Sequence, residues 1–339
     1  MGINSKQAAF ASNMAKAVKG LVPSLATASI LTVGLVTNAT AGSLINNNTV
    51  MLGVDDFGQL NIFGGTPSSG SGTRYVGLRY LPTGADAVAP GCLCEGWGVA
   101  DFATGITGYA NNAPFLGSFG LTAQSFTQPN PDEALLSVKV GETFLVTHHY
   151  KPTAETDYLY EDLVTIKNIG TTTVNDLRFR RVVDWDVEPT FFNEHVTIDR
   201  TAMAANVLFA SNNGFASSNP LVPGGNLGAT GDFEDFGPMD QGALFDFGFG
   251  ALGAGEEFSF TTFYGAAPTE AAALGALGAV SAEVYSFGQT ADGAVTGEPN
   301  TFILGFKGVG GKPIPEPSSM LSLFALGAFG AGSSVLKRK

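Results

Sequence analysis

Apolar and polar positions alternate through the middle of the chain, between Ala134 and Arg200. A period of two residues is typical of strands that bury one face. Gly, Pro or Asn residues separate the successive segments, as expected for turns. The pattern predicts five strands with the sequences ALLSVKV, TFLVTHHY, DYLYEDLVTIKN, VNDLRFRRVVDWDV and HVTIDR. The turn at Asn168-Ile169-Gly170 predicts a hairpin between the third and the fourth of these strands.

Weaker strand patterns lie on both sides of this region. QLNIFGG and TRYVGLRY precede it, and EFSFTTFYG and TFILGFKG follow it. The stretches from 82 to about 130 and from 211 to 257 are rich in glycine and predict loops.

One helix is predicted, over residues 268–286. Alanines favour a helix, while Pro268 suits its first turn and Glu270 complements its dipole. Its apolar stripe contains Leu274, Leu277, Val280 and Val284, and Gly288 is a candidate cap. We therefore expect a mainly β fold, an antiparallel β-sandwich ectodomain over residues 42–312 with one docked helix.

The composition agrees with this fold and limits the choice of partners. Only 14% of the residues are charged, and the chain has 45 Gly and 26 Phe. The net charge is −13, yet three of the basic residues lie before the first apolar stretch and three at the C-terminus. The chain between them has 11 basic residues against 30 acidic ones. This charge would repel a phosphate backbone, so we expect no nucleic-acid binding.

Residues 1–41 have the pattern of a secretory signal peptide. The basic region ends at Lys19, and an apolar stretch runs from Leu21 to Val36. Ala39-Thr40-Ala41 follows, which predicts cleavage by signal peptidase before Gly42. The alternative is an anchor helix that is not cleaved.

The C-terminus predicts a transmembrane helix over residues 319–336. These residues carry no charge, and a helix of this length spans roughly 27 Å. The tail Lys337-Arg338-Lys339 favours the cytoplasmic side of the inner membrane, leaving the rest of the chain outside. Just before the helix, Pro315 and Pro317 flank Glu316 and keep the backbone extended.

A Pro-Glu-Pro motif, a short apolar segment and a basic end, together over residues 313–339, resemble the PEP-CTERM sorting signal of Gram-negative bacteria. The resemblance implies processing by an exosortase, a membrane cysteine transpeptidase, near Pro315, Glu316 and Pro317. The stretch VTIKNIGTTTVNDLRFRRVVDWDVEPT is similar to ectodomains of PEP-CTERM proteins that have no established activity. Proteins of this group are linked to exopolysaccharide, biofilm or floc, which implies a place at the cell surface.

Three carboxylates share one face of the fourth predicted strand, about 6.5–7 Å apart. They are Asp184, Asp186 and Glu188. With a further ligand from Glu194 or Asp199, these oxygens suit a calcium ion. The alternative is a solvated acidic surface that Arg178 and Arg180 partly balance. A second acidic group in a glycine-rich stretch is either a metal site or a surface loop; it contains Asp232, Glu234, Asp235 and Asp240.

The opposite face of the same strand is apolar except for Arg181. Asp162 has the equivalent place on the preceding strand, and either charge buried alone is costly. Arg181 and Asp162 therefore pair across the sheet, or a β-bulge at Arg180-Arg181 turns the guanidinium outward.

Cys92 and Cys94 are the only cysteines, and export favours a disulfide between them. Neighbouring histidines point to opposite sides of a strand, so His148 and His149 cannot readily chelate one metal. We expect His148 to be a hydrogen-bonded core residue. His195 lies beside the acidic Glu194, and no zinc motif is present.

The chain also has no GxSxG motif, and its SxxK sequence, Ser334 to Lys337, lies at the end of the predicted membrane helix. The sequence therefore predicts a surface or matrix protein without catalytic activity. The competing class is a secreted carbohydrate-binding module or carbohydrate-active enzyme on the same fold.

Overall fold

A computed structural model describes residues 42–111, 117–200, 204–292, 298–312 and 314. Every described residue belongs to one compact unit, which lies within Thr40–Lys339. The predicted signal peptide with Ala39 and Ala41 lies outside the described residues, as do Pro315, Glu316, Pro317 and the predicted membrane helix. Within the described ranges, no helix is long and apolar enough to cross a membrane.

Strands dominate the described part of the chain, and the prediction of a mainly β fold with antiparallel sheets is confirmed. The strands are β1 (Ser43–Asn46), β2 (Val50–Val54), β3 (Ile62–Phe63), β4 (Tyr75–Val76), β5 (Leu78–Tyr80), β6 (Ala85–Asp86), β7 (Glu95–Asp101), β8 (Ile106–Asn111), β9 (Gly117–Phe119), β10 (Leu121–Thr127), β11 (Ala134–Val140), β12 (Phe144–Pro152), β13 (Leu159–Asn168), β14 (Val174–Trp185), β15 (Glu194–Asp199), β16 (Val207–Ser211), β17 (Phe233–Met239), β18 (Gln241–Leu252), β19 (Glu257–Ala267), β20 (Val284–Thr290) and β21 (Thr301–Lys307). The helix is α1 (Glu270–Ala279).

Two large sheets face each other across the core. One has nine strands in the order β10-β11-β12-β13-β19-β21-β20-β15-β17, and the other has six in the order β16-β18-β14-β7-β8-β9. Phe179 of β14 meets Phe260 of β19, and Phe247 of β18 meets Phe306 of β21, with 4.9 Å between ring centroids in both pairs. Smaller sheets have the orders β1-β2-β5-β6 and β3-β4.

The five strands predicted from alternation correspond to β11–β15. In β14 the predicted apolar face is buried in the core between the sheets; it contains Leu177, Phe179, Val183 and Trp185. Trp185 also donates from its indole nitrogen to the hydroxyl of Ser286 in β20, at 3.1 Å. The period of two residues therefore identifies the inward side of β14.

The predicted hairpin at Asn168-Ile169-Gly170 is wrong. β13 belongs to the nine-stranded sheet and β14 to the six-stranded sheet, so this turn carries the chain from one sheet to the other. The buried Asn168 amide donates to the carbonyls of Leu252 (3.0 Å) and Thr172 (2.9 Å), which fixes the crossing. A short polar turn has the same sequence pattern whether it joins two strands of one sheet or carries the chain to the other sheet.

The two predicted loop regions also contain strands. Residues 82–130 include β7, which lies between β14 and β8, and residues 211–257 include β17 and β18. A Cβ atom at Gly98 of β7 would collide with the backbone oxygen of Ser218. The glycine here lets a loop lie against the strand, and it does not mark a turn.

The helix is shorter than predicted. Thr269 caps α1 by accepting a hydrogen bond from the Ala272 N–H (3.2 Å), so Pro268 lies outside the helix. The chain turns back at Ser281, which has a φ of 58°. The last part of the predicted helix, including Val284 and Gly288, forms β20 and pairs with β21 and β15. Leu277 is fully buried and docks α1 on the nine-stranded sheet.

Candidate metal centre

Strand register brings carboxylates together at the end of β14. Asp184 pairs with Gly242 of β18, and Trp185 pairs with Gln241. Asp186 directly follows β14, and Asp240 directly precedes β18. One carboxylate oxygen from each of Asp184, Asp186 and Asp240 lies within 4.8 Å of the other two.

A fourth carboxylate comes from the start of β15. Glu194 pairs with Met239, the residue before Asp240. The charges of Glu194 and the neighbouring aspartates are close enough to interact. We call this group the acidic cluster; it consists of Asp184, Asp186, Glu194 and Asp240.

Three members of the acidic cluster are shielded from water, and no described side chain donates a hydrogen bond to their unpartnered oxygens. Asp186 and Glu194 are 0% exposed, and Asp184 is 1% exposed. Within the described part of the chain, no donor reaches either oxygen of Asp186 or Oδ1 of Asp184. There, the Glu194 carboxylate has only the backbone N–H groups of Asn193 and Glu194 nearby as donors. Asp240 is exposed, so the acidic cluster opens to solvent at that residue.

Burial strongly favours the protonated form of these groups. Burial, reinforced by the charges of neighbouring carboxylates, raises the pKa of Asp186 to about 10. It also raises the pKa of Glu194 to about 9, although nearby backbone N–H groups lower that pKa in part. The pKa of Asp184 lies well above its usual value because of burial and the nearby Asp240. Without a counter-ion, the buried members therefore hold protons at neutral pH.

Glycines let the backbone approach the unpartnered oxygens closely. Gly91 has a φ of 75°, and a Cβ there would lie 2.7 Å from Oδ2 of Asp186. A Cβ at Gly214 would lie 2.9 Å from Oδ1 of Asp184. A side chain at either position would collide with its neighbours, so both positions require glycine.

The cysteines lie next to the acidic cluster. Cys92 and Cys94 form a disulfide with 5.2 Å between their Cα atoms. Sγ of Cys92 lies 3.4 Å from Oδ2 of Asp184. A disulfide sulfur carries no proton, so this contact supplies no hydrogen bond to the carboxylate.

Glu188, which the sequence places with Asp184 and Asp186, lies outside the acidic cluster. β14 ends at Trp185, and the backbone N–H groups of Asp186 and Glu188 bond to the carbonyls of Ala87 and Asp86. The buried Glu188 carboxylate accepts hydrogen bonds of 2.6 Å from the hydroxyls of Ser68 and Ser71. Although burial acts to raise the pKa of Glu188, these bonds hold it below its usual value.

Of the other predicted acidic residues, Asp199, Asp232 and Glu234 line one surface pocket and are not among the ligand groups around Asp184 and Asp186. Asp199 ends β15 beside the hydroxyl of Tyr285, at 3.5 Å, and is not the fourth carboxylate. Within this pocket, Asp232 pairs with Arg200 at 2.7 Å. The backbone of Asp235 bonds to Thr197 of β15 at 3.0 Å. Of the second predicted group, Asp240 alone has metal-ligand spacing to Asp184 and Asp186 among the described residues.

The predicted pairing of Arg181 with Asp162 is also wrong. Nε of Arg181 lies 2.6 Å from Oε1 of Glu95 in the neighbouring strand β7. Oδ2 of Asp162 lies 2.8 Å from Nδ1 of His148. We call these four buried side chains the core ion network. The predicted bulge is absent at Arg180-Arg181, since the described register shifts of β14 lie between Val174 and Arg178.

Two further contacts tie the core ion network to its surroundings. The Tyr264 hydroxyl donates to Oε1 of Glu95 at 3.0 Å, and the backbone N–H of Leu60 donates to Oε2 at 2.7 Å. Arg180 points to the other side of β14, where Nε lies 2.6 Å from Oδ1 of Asp246.

The histidines have separate surroundings. His148 is a buried, hydrogen-bonded core residue, as predicted. His149 lies 3.5 Å from Glu133, and His195 lies near Asp235. None of the three joins a group with metal-ligand spacing in the ranges that the structure describes.

Comparison with known proteins adds one finding. No curated protein matches the chain. A family model described as the PEP-CTERM protein-sorting motif matches residues 313–339. The chain therefore carries a PEP-CTERM sorting signal at its C-terminus, as the Pro315-Glu316-Pro317 pattern predicts, and the signal implies an exported exosortase substrate.

Proposed function

We propose that this exported protein is a surface or extracellular-matrix component without catalytic activity, released from the inner membrane by an exosortase. The sorting motif over residues 313–339 is the observation that carries the proposal. Signal peptidase removes residues 1–41, and exosortase processing near Pro315, Glu316 and Pro317 frees the β-rich domain. The domain then associates with exopolysaccharide.

The charge of the domain supports a role in the matrix. Between the basic ends, 30 acidic residues face 11 basic ones. A domain of this charge attracts divalent cations, which can bridge it to acidic polysaccharide. Calcium is the cation that we propose for this bridging.

The geometry of the acidic cluster supports a non-catalytic role. In glycoside hydrolysis two carboxyl groups flank the scissile bond, so a sugar must fit between them. Asp184, Asp186 and Glu194 are at most 1% exposed, which leaves no room for a sugar ring. These carboxylates therefore suit an ion better than a carbohydrate substrate.

A surface groove favours a carbohydrate-binding module as the second candidate. The groove has a volume of about 550 Å³ and lies on the outer side of the six-stranded sheet. On its wall the Arg178 guanidinium lies 4.9 Å from the centre of the half-exposed Phe102 ring. An exposed aromatic ring beside a fixed cation can hold the apolar face and the hydroxyls of a sugar. Saturable binding of an oligosaccharide, lost in Phe102→Ala, would favour this candidate, and turnover would favour an enzyme.

The sorting proposal is tested by the intact mass of the protein from inner-membrane, envelope and medium fractions. We expect a mature chain that begins at Gly42, lacks residues 319–339 and lies outside the inner membrane. Glu316→Gln should cause the unprocessed chain to accumulate in the membrane. Glu298→Gln makes the same change in a second Glu-Pro pair outside the signal and serves as the matched control.

A full-length C-terminus in the inner membrane of the wild type would contradict the proposal. Matrix association is tested by sedimentation of the mature protein with exopolysaccharide from the producing cells, with calcium present and with calcium chelated. Failure to co-sediment under both conditions would contradict the association but not the processing.

A further inference from the structure

We propose that Asp184, Asp186 and Asp240, supported by Glu194, bind one calcium ion at the solvent-facing end of β14. This site is a property of the folded domain, so it goes beyond the sorting and matrix functions proposed above. Its ligands differ from the set suggested by the strand pattern, because Asp240 replaces Glu188.

The spacing of the carboxylates fits a single ion. Calcium–oxygen distances are about 2.3–2.6 Å, so two ligand atoms on one ion lie at most about 5 Å apart. The ligand oxygens of Asp184, Asp186 and Asp240 lie within 4.8 Å of one another. These three residues come from two chain segments that the β14–β18 pairing holds side by side.

The buried oxygens lack the partners that a structural carboxylate has. Glu188, only two residues beyond Asp186, accepts hydrogen bonds from two serine hydroxyls and from backbone N–H groups. Among the described residues, neither oxygen of Asp186 has a donor, and no side chain donates to Glu194. Buried charges are ordinarily paired or bound to a metal ion. The oxygens of the acidic cluster are therefore available as metal ligands, whereas those of a structural carboxylate such as Glu188 are occupied by hydrogen bonds.

The site has a route for an ion. Gly91 and Gly214 let the backbone lie close to the carboxylates of Asp186 and Asp184, where a Cβ would collide with them. Asp240 is exposed, so a hydrated ion can enter from its side and keep water ligands there. Calcium takes six to eight oxygen ligands and commonly retains water among them.

The available ligands select the class of metal. Cys92 and Cys94 also lie within ligand distance of Asp184, but their sulfurs are bonded to each other. Thiolate ligands, which favour zinc, are therefore absent from the oxidised protein. Carboxylates that come from a strand end and a turn suit calcium better than magnesium, which demands a tighter octahedron.

The test measures thermal unfolding of the purified protein in calcium chloride, in magnesium chloride and in EDTA, together with calorimetric titration of calcium. We expect one site per chain, a higher Tm in calcium than in EDTA, and a smaller shift in magnesium. Asp240→Asn changes an exposed residue and should fold normally, with calcium affinity at least about tenfold lower. Asp186→Asn should remove the calcium-dependent shift in Tm.

Glu234→Gln is the matched control, since it removes a charge from the same acidic stretch outside the acidic cluster. It should bind calcium as the wild type does. Equal Tm values in calcium and EDTA for the wild type would overturn the proposal, and so would wild-type affinity in Asp240→Asn. Neither result would affect the sorting proposal, whose readout is the mass of the processed chain.

Discussion

The core ion network and the acidic cluster both include residues at or next to β14, and they differ in the partners of their buried charged groups. Arg181 lies beside Glu95, and Asp162 lies beside His148, each at hydrogen-bond distance. Three residues further along, the acidic cluster begins at Asp184 with carboxylates and no described basic group at ion-pair distance. All of these groups except Asp240 are nearly inaccessible to water.

The difference shows which charges the chain balances by itself. Each acidic member of the core ion network has a nitrogen partner, which lies 2.6 Å from Glu95 and 2.8 Å from Asp162, although one oxygen of Asp162 has no hydrogen-bond partner among the described residues. The buried members of the acidic cluster must instead keep protons or take a cation from solution. The core ion network therefore needs no ion from solution, whereas the acidic cluster makes the stability of the domain depend on the pH and the cations outside the cell.

The largest effect should come from breaking the core ion network. Glu95→Ala leaves the Arg181 guanidinium buried without its anion, and we expect a loss of about 3–5 kcal/mol in the free energy of unfolding. Urea denaturation measures this loss. Glu161→Ala removes a surface partner of Lys151 and should cost less than about 1 kcal/mol. Similar losses in the two variants would mean that the network contributes little.

The acidic cluster should reveal itself in the pH dependence of stability. Asp186 and Glu194 have raised pKa values when folded, so the folded protein keeps protons that the unfolded chain releases near its ordinary carboxyl pKa. In EDTA the free energy of unfolding should therefore fall as pH rises from about 5 to 9. Each such group contributes up to about 1.4 kcal/mol per pH unit.

Two changes should flatten this pH slope. The carboxyl of Asp186 faces Asp86, Asp184, Glu194 and Asp240, and Asp186→Asn removes one of these acids from the group. Calcium should flatten the slope in the wild type by replacing the protons. A free energy of unfolding that rises with pH in EDTA over this range would contradict the account.

An intermediate effect should come from Arg180, which has more than one kind of partner. Asp246→Ala removes its anion, but the guanidinium still donates to the carbonyls of Ser217 and Val222, at 2.8 and 2.9 Å. We expect a loss of about 1–3 kcal/mol in urea denaturation. A loss as large as that of Glu95→Ala would mean that backbone acceptors do not compensate a buried guanidinium.

The smallest effect should come from the exposed pair of Arg200 and Asp232. Asp232→Asn should change the free energy of unfolding by less than about 1 kcal/mol. Because Asp232 lies outside the acidic cluster, the change should be the same in calcium and in EDTA. A calcium-dependent difference in this variant would indicate a second cation site.

The sequence predicted strands where one face is buried and the other is polar. Alternation identified β11–β15 and the inward side of β14, because each residue's burial follows from its position within its own strand. The glycine-rich strands β7 and β18 escaped prediction. Their glycines accommodate neighbouring backbone, as at Gly98 and Gly242, and no local pattern distinguishes this role from a turn.

The candidate site was predicted only in part for the same reason. Asp184 and Asp186 stood out by their spacing, but alternation wrongly added Glu188, because it assumed that β14 continues beyond Trp185. Asp240 is 54 residues from Asp186 along the chain. Only the register of β14 with β18 brings them together, and that register is a property of the folded sheet. The partner of Arg181 was missed likewise, since Glu95 comes from a stretch that the sequence predicts to be a loop.

A crystal structure of the mature protein grown with calcium tests the central claim most directly. The account predicts an ion bonded to oxygens of Asp184, Asp186 and Asp240 at about 2.3–2.6 Å, with Glu188 still bound to Ser68 and Ser71. Carboxyl groups that are hydrogen-bonded to one another, with no ion between them at saturating calcium, would contradict it.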